Sequence, residues 1–371
     1  MDRNYYLDLA RQGLAFPMAT DLILHEKPDH AAILRNGVRL GQLMEEAAER
    51  FQTPLAFPIM DLMQEKTLLL RALGGIAEAD IPTWHFTACP TAEQCATIRR
   101  PLHGAMDTRF KANVEAVRYI ARHTHLVPVG MAIGPFSLMT KLLDDPIAPV
   151  FLAGMGLTAD DEPEVRLAET VLQLATEIVL FSVEAQIKAG AKAIFIAEPA
   201  ANKVYVSPNQ MTAATDIFER LPLAANRRIK DLLDQHGVDL IFHCCGELVD
   251  DMVRGFCSLR PVILSLGSSR KLWEDTALVS PDIVLYGNLP SKKFYSDELI
   301  STAEVTRQGS ELQTRMQATG HPFILGSECD ILCVPHCEGP LMDKAMAIAQ
   351  LATADLSLAD VLQKDACLCK E

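Results

Sequence analysis

The chain has 371 residues, 49% of them hydrophobic and 22% charged, with a formal net charge of −14. That length permits one large domain or two ordinary ones, and the composition is that of a globular enzyme. The charge argues against nucleic acid as a partner, because phosphates need a basic face. With no run of 18 apolar residues and no signal-like apolar core after Met1-Asp-Arg-Asn-Tyr-Tyr, no membrane segment and a cytoplasmic location are expected.

Residues 1–50 read as an amphipathic helical segment broken at Pro17 and Pro28, with Val38–Phe51 at helical spacing. This segment is expected to pack across one end of the fold. Leu55–Met60 is the first strand. Asp61 and Glu65 follow, four apart and so on one helical face. Both suit a helix N-terminus, and Asp61 is also a candidate active-site acid. Asp80–Pro101, with Trp84, Phe86, Cys89, Cys95, Arg99 and Arg100, is irregular and reads as an insertion over the active end. Asn113–His123 is a helix, Leu126–Ile133 a strand stopped by Gly134-Pro135, and Glu164–Ala189 a long helix. Ala193–Ala197 is a strand ending in Glu198-Pro199. Glu198 is a candidate proton donor or substrate anchor, with a loop-fixing carboxylate as the alternative. Four further strands follow, Leu240–Cys244, Val262–Leu266, Ile283–Tyr286 and Phe323–Leu325. Helices separate them, as βα units require. The expected fold is α/β, a (β/α)8 TIM-type barrel with an N-terminal helical segment and insertions at the mouth, in a single domain over 1–371. Seven strands are placed, and the eighth is sought in the insertion.

The chemistry concentrates at two strand ends. Leu240-Ile-Phe-His-Cys-Cys-Gly-Glu247 is an apolar run closed by His243, Cys244, Cys245 and Gly246. Strand alternation puts His243 and Cys245 on one side and Cys244 on the other. In a β/α barrel the C-terminal strand end is where chemistry sits. Imidazole and thiolate are the preferred ligands of Zn2+, and Cys329, beyond the strand at Phe323, supplies a third. Three protein ligands with a free fourth position mark a catalytic zinc. A rival set is Cys329, Cys333 and Cys337 at i, i+4 and i+8 beside His336. The bland reading of any one Cys is a small core hydrophobe. Cys367 and Cys369, near the end of the chain, read as free thiols. No GxGxxG, P-loop or Ser-His-Asp signature occurs.

His-x-Cys at one strand end with a distant Cys after a second resembles the zinc motif of corrinoid (cobalamin)-dependent methyltransferases of the uroporphyrinogen decarboxylase superfamily. Ala56-Phe-Pro-Ile-Met-Asp61, Gly134-Pro-Phe-Ser137, the Ala189–Pro199 strand and Tyr286-Gly-Asn-Leu289 resemble further family segments. The chain departs from the decarboxylases themselves. Their Arg-Gln-Ala-Gly-Arg motif is reduced to Ala10-Arg11-Gln12-Gly13-Leu14, and Ile324-Leu-Gly-Ser-Glu-Cys329 stands in place of Asn-Leu-Gly-His-Gly. Asp61 matches the aspartate that contacts pyrrole nitrogens. The resemblance implies zinc as this chain's own cofactor, a separate corrinoid protein as partner, and a small-molecule methyl donor or acceptor. A decarboxylase, or a ligand-binding protein on the same fold, is the alternative.

Overall fold

The computed structural model describes residues 2–98, 102, 104–213 and 216–352. Its centre is one parallel sheet of seven strands in chain order: β1 (Leu55–Ala56), β2 (Val127–Ile133), β3 (Ala193–Ala197), β4 (Asp239–Cys244), β5 (Ile263–Leu266), β6 (Val284–Leu289) and β7 (Phe323–Ser327). All seven are those read from the sequence, and nearly every strand residue is buried on both faces. That is why they read as continuous apolar runs. β1 is cut to two residues between Pro54 and Pro58, which have no N–H for a ladder.

No eighth strand occurs among the described residues. The position between β7 and β1 is taken by the N-terminal segment. Ala15 bridges Leu325 in parallel, the Phe16 N–H donates to Leu325 O at 3.0 Å, and Thr20 Oγ1 donates to Phe57 O at 2.9 Å. The described part of the insertion after Asp80 does not supply the strand. It joins the helical layer: the Phe86 N–H donates to Leu142 O, and Trp84 packs edge-on to Phe86 at 4.6 Å. Helix Ala92–Ile98 lies against Gln64–Leu73 and Pro163–Ala189. Arg99 and Arg100 fall outside the described residues, as do Cys367 and Cys369.

Helix Arg3–Arg11 meets the N-terminal ends of the strands. Tyr6 OH donates to Asp239 Oδ2 at 2.9 Å, and Arg3 Nη1 reaches the carbonyls of Pro261 and Asp282 at 2.8 Å. The 27-residue helix Pro163–Ala189 is long and apolar enough to cross a membrane by length and composition, but 56% of its apolar window is buried in the fold.

The register fixes which side chains face inward. Phe195 pairs with Ile241, Ala197 with His243, His243 with Ser265 and Ser265 with Tyr286, and paired residues of parallel strands share a face. The interior is therefore aromatic: Phe195 lies over His243 at 5.2 Å, Phe57 edge-on to Phe195 at 5.8 Å, and Phe16 between Phe57 and Tyr286. Phe242, one residue out of step, packs outward on Phe256. Gly326 lets the Tyr286 ring lie directly on β7, because a Cβ there would run into the ring.

Candidate metal centre

β4 delivers His243 inward on its last turn of the pleat, and Cys245 follows one residue beyond the strand. Cys329 stands two residues beyond β7. One ligand atom from each lies within 4.8 Å of the others, and this is the metal-competent group of His, Cys, Asp and Glu among the described residues. His243 is fully buried. Its Nδ1 lies 2.9 Å from Ser265 Oγ, while Nε2 has no hydrogen-bond partner. A buried polar atom left unpaired costs about 1–3 kcal/mol. A metal ion held by His243, Cys245 and Cys329 would remove that cost. Ser265 would then be the outer partner that fixes ring and tautomer. One imidazole and two thiolates are a donor set suited to zinc.

The hydrogen bond from Cys329, together with His243 and Lys292, pulls Cys245 far below the usual thiol range. The same bond and burial push Cys329 up. Lys292 Nζ donates to Cys245 O at 3.1 Å and lies 3.9 Å from Glu328 Oε2. Glu328 also accepts from the Ser268 N–H at 2.9 Å, tying the β5, β6 and β7 loops together. Cys244 points the other way, with Sγ 3.7 Å from Ala201 O, and burial raises its thiol.

The rival ligand set fails on backbone. Residues 328–337 are not helical and the next helix begins at Glu338, so Cys329, Cys333 and Cys337 do not share a helix face. The Cys333 N–H is used by Asp21 Oδ2 at 2.8 Å.

Asp61 stands at the start of helix Gln64–Leu73, accepting from the Met63 N–H at 3.1 Å and pairing with Arg109 at 3.4 Å. Its neighbour Met60 touches the centre, with Sδ 3.9 Å from Cys329 Sγ. Arg109 gave no signal in the sequence, because it lies 48 positions along on a different helix, Thr108–His123.

Glu198 makes the contacts of the second of its two readings, a loop-fixing carboxylate. It shares parity with the outward Ile194 and Ile196, not with Phe195. Its carboxylate accepts from the Ser137 N–H at 2.5 Å, the Phe136 N–H at 3.3 Å and Asn226 Nδ2 at 2.7 Å. It thus caps the first turn of helix Pro135–Leu142 from behind the sheet, fully buried, and does not face the mouth.

Asp330 is a carboxyl that the sequence did not single out. Its Oδ2 accepts from the Met60 N–H at 3.0 Å, and loss of hydration pushes it up to about 7. Arg11 lies elsewhere, paired with Asp8 at 2.8 Å in a groove with Pro281, His321 and Pro322 at the N-terminal strand ends.

Residues 70–338 match the family described as uroporphyrinogen decarboxylase (URO-D). Among solved structures the chain is similar to a methyltransferase from Methanosarcina mazei. The TM-score is 0.58 at 17% identity, covering 93% of this chain and 97% of that one, a likeness of fold. None of the curated proteins matches the sequence.

Proposed function

The chain belongs to the uroporphyrinogen decarboxylase family, and from the His243–Cys245–Cys329 cluster we propose that it is a zinc-dependent methyltransferase. In this reading it moves a methyl group between a small heteroatom substrate (a thiol, methyl ether, amine or folate) and the cobalt of a corrinoid protein. The observation that carries the reading is the buried, unpartnered Nε2 of His243 facing two cysteines. The similar methyltransferase fold is consistent with it. We read residues 1–371 as one cytoplasmic domain, a TIM-type barrel on which 1–50 packs, with residues 15–20 closing the gap between β7 and β1.

His243, Cys245 and Cys329 would hold the zinc, which supplies Lewis acidity to one heteroatom at its free position. Ser265 keeps His243 turned toward that position, and Phe195 keeps the ring from tilting away. The lysine at 292 offsets negative charge on Cys245. With a thiol as acceptor, the substrate loses its S–H proton and its sulfur takes the methyl group. The corrinoid of the partner would supply or accept the methyl group, and the thiol's proton would pass to solvent. Demethylation of an ether or amine is the same displacement reversed. In this reading Asp61 and Arg109, beside Met60, would position substrate.

A decarboxylase acting on several carboxylates would need gathered cations. Arg11 is at the opposite end of the strands and already paired. The test is to mix the zinc-loaded protein with reduced corrinoid protein and candidate methyl donors, or with methylcobalamin and thiols or folate, and to follow Co(I) absorbance. Turnover in either direction supports the reading. No change in any mixture, with CO2 released from uroporphyrinogen, refutes it.

A further inference from the structure

His243, Cys245 and Cys329 leave the fourth corner of a tetrahedral metal unassigned. Among the described residues no other His, Cys, Asp or Glu completes their group. Glu328 is engaged by the Ser268 and Lys292 N–H groups and by the Lys292 ammonium. Cys244 points away, to Ala201 O. A thioether is the donor left to consider, and Met60 Sδ lies 3.9 Å from Cys329 Sγ.

Two sulfurs each about 2.3 Å from a tetrahedral zinc are about 3.8 Å apart, so Met60 Sδ stands from Cys329 at the spacing of a second ligand. It is the sulfur of Met60, not its terminal methyl group, that makes this approach. The backbone holds it there. The Met60 N–H donates to Asp330 Oδ2 at 3.0 Å, and Asp330 directly follows Cys329. The loop after β1 is thereby tied to the loop after β7 at the residue beside the metal ligand. Thioether sulfur is a soft donor of the kind zinc accepts. It is neutral, so it holds the metal less firmly than a thiolate does. The unbranched methionine side chain has three rotatable bonds, and its sulfur can swing aside without moving the backbone.

We propose that Met60 Sδ is the fourth donor of the metal in the resting protein and that the substrate heteroatom displaces it. This assignment rests on the zinc centre of the methyl-transfer reading and names the group that guards its exchangeable position. An incoming thiol competes with Met60, so its apparent affinity is reduced by the fraction of time that position is open.

The test is X-ray absorption at the zinc edge of the zinc-loaded full chain. Three sulfurs and one nitrogen are expected, against two sulfurs and two lighter atoms if solvent holds the corner. The chain has 14 methionines. In protein grown on selenomethionine, one of the three sulfurs around zinc should be replaced by selenium, which no cysteine can mimic. Met60→Leu, which keeps the volume and apolar character of the side chain, should lose that selenium signal while keeping the metal. Met18 and Met131 line the same interior, and selenium retained in Met60→Leu would assign the corner to one of them and overturn the proposal. Adding 2-mercaptoethanol to the selenomethionine protein should exchange selenium for sulfur; selenium that persists would refute displacement. In the Co(II) form, followed by its sulfur-to-metal absorption, Met60→Leu should bind 2-mercaptoethanol about 3–10-fold more tightly than wild type. If Met60→Leu fails to fold, the wild-type selenium measurement decides. No selenium beside zinc in the wild type overturns the proposal and leaves the zinc centre and the methyl-transfer reading standing. A wild-type protein that binds no zinc removes that reading, and the role of Met60 with it.

Discussion

Replacing Glu198 by Ala separates a structural carboxylate from a catalytic one. The side chain is fully buried and accepts three hydrogen bonds, at 2.5 Å from Ser137 N, 2.7 Å from Asn226 Nδ2 and 3.3 Å from Phe136 N. The long Phe136 bond is weak. The other two, each to a carboxylate, are worth about 1.5 kcal/mol or more. Loss of the negative charge from the N-terminal turn of helix Pro135–Leu142 adds about 0.5 kcal/mol. The variant also strands two backbone N–H groups. The expected destabilisation is about 3–4 kcal/mol, read as a lower urea midpoint with an unchanged slope. Glu198→Gln, which keeps one acceptor, should recover about half. Burial raises the Glu198 carboxyl, so the folded chain holds its proton more tightly than the unfolded one, and the loss on replacement should be largest at low pH and shrink as pH rises. Zinc content of the folded fraction should be unaffected. An alanine variant of wild-type stability that has lost methyl transfer would refute the structural role and return Glu198 to the mouth.

About one zinc per chain is expected by elemental analysis, lost in Cys245→Ala, Cys329→Ala and His243→Ala but kept in Cys333→Ala; full zinc in Cys245→Ala would sink the ligand set. Glu65 gives a pH signature. Burial, opposed by the Ser182 hydrogen bond, raises its carboxyl from 4.5 to about 7. Its folded form holds the proton more tightly than the unfolded chain. Its contribution is therefore complete below about pH 4.5, is lost as pH rises through about 7, and amounts to about 3 kcal/mol at most. Relative to wild type, Glu65→Gln should be more stable at pH 8 than at pH 5 by about 2–3 kcal/mol in urea titrations, and an identical difference at both pH values would contradict the burial argument.

The strands were legible because each is buried on both faces and most end close to a Gly or Pro, although β6 and β7 run through Gly287 and Gly326. Ala193–Ala197 and Val127–Ile133 could be read almost to the residue. The closing element was not, because Leu14-Ala-Phe-Pro-Met18 sits inside a helical segment and gains its extended form from Leu325 and Phe57, both far away in sequence. The metal ligands were legible through alternation and a distant Cys. Ser265 was not, since a lone buried Ser carries no pattern until β5 pairs with β4. Glu198 was left with two readings, an inward acid and a loop-fixing carboxylate, because the sequence does not say which parity of the strand faces inward. Its parity with Ile194 and Ile196 was visible, but only the ring contact between Phe195 and His243 says which parity is the inside. Asp330 was hidden by its neighbour Cys329, whose metal-ligand role drew the whole segment's interpretation.

Asp61 remains the acid with a case for chemistry, and its test has to remove the structural contribution first. The carboxylate serves two partners, the Met63 N–H at 3.1 Å and Arg109 at 3.4 Å. Arg109 is mostly enclosed, and its Nη1 has no hydrogen-bond partner. Asp61→Asn keeps an acceptor for Met63 but leaves a largely enclosed guanidinium without its nearest countercharge. A loss of about 1–2 kcal/mol is expected, less than for a fully buried pair because 28% of the Asp61 side chain stays exposed. Arg109→Leu removes the stranded charge, so the double variant should recover most of that stability. The two residues are in contact, and the coupling in such a cycle measures their interaction alone. If Asp61 positions substrate, the double variant will be stable and zinc-loaded, yet its methyl transfer will remain depressed, with the loss in KM or kcat independent of urea stability. Recovery of activity along with stability would make Asp61 a helix-start acid with no part in positioning substrate.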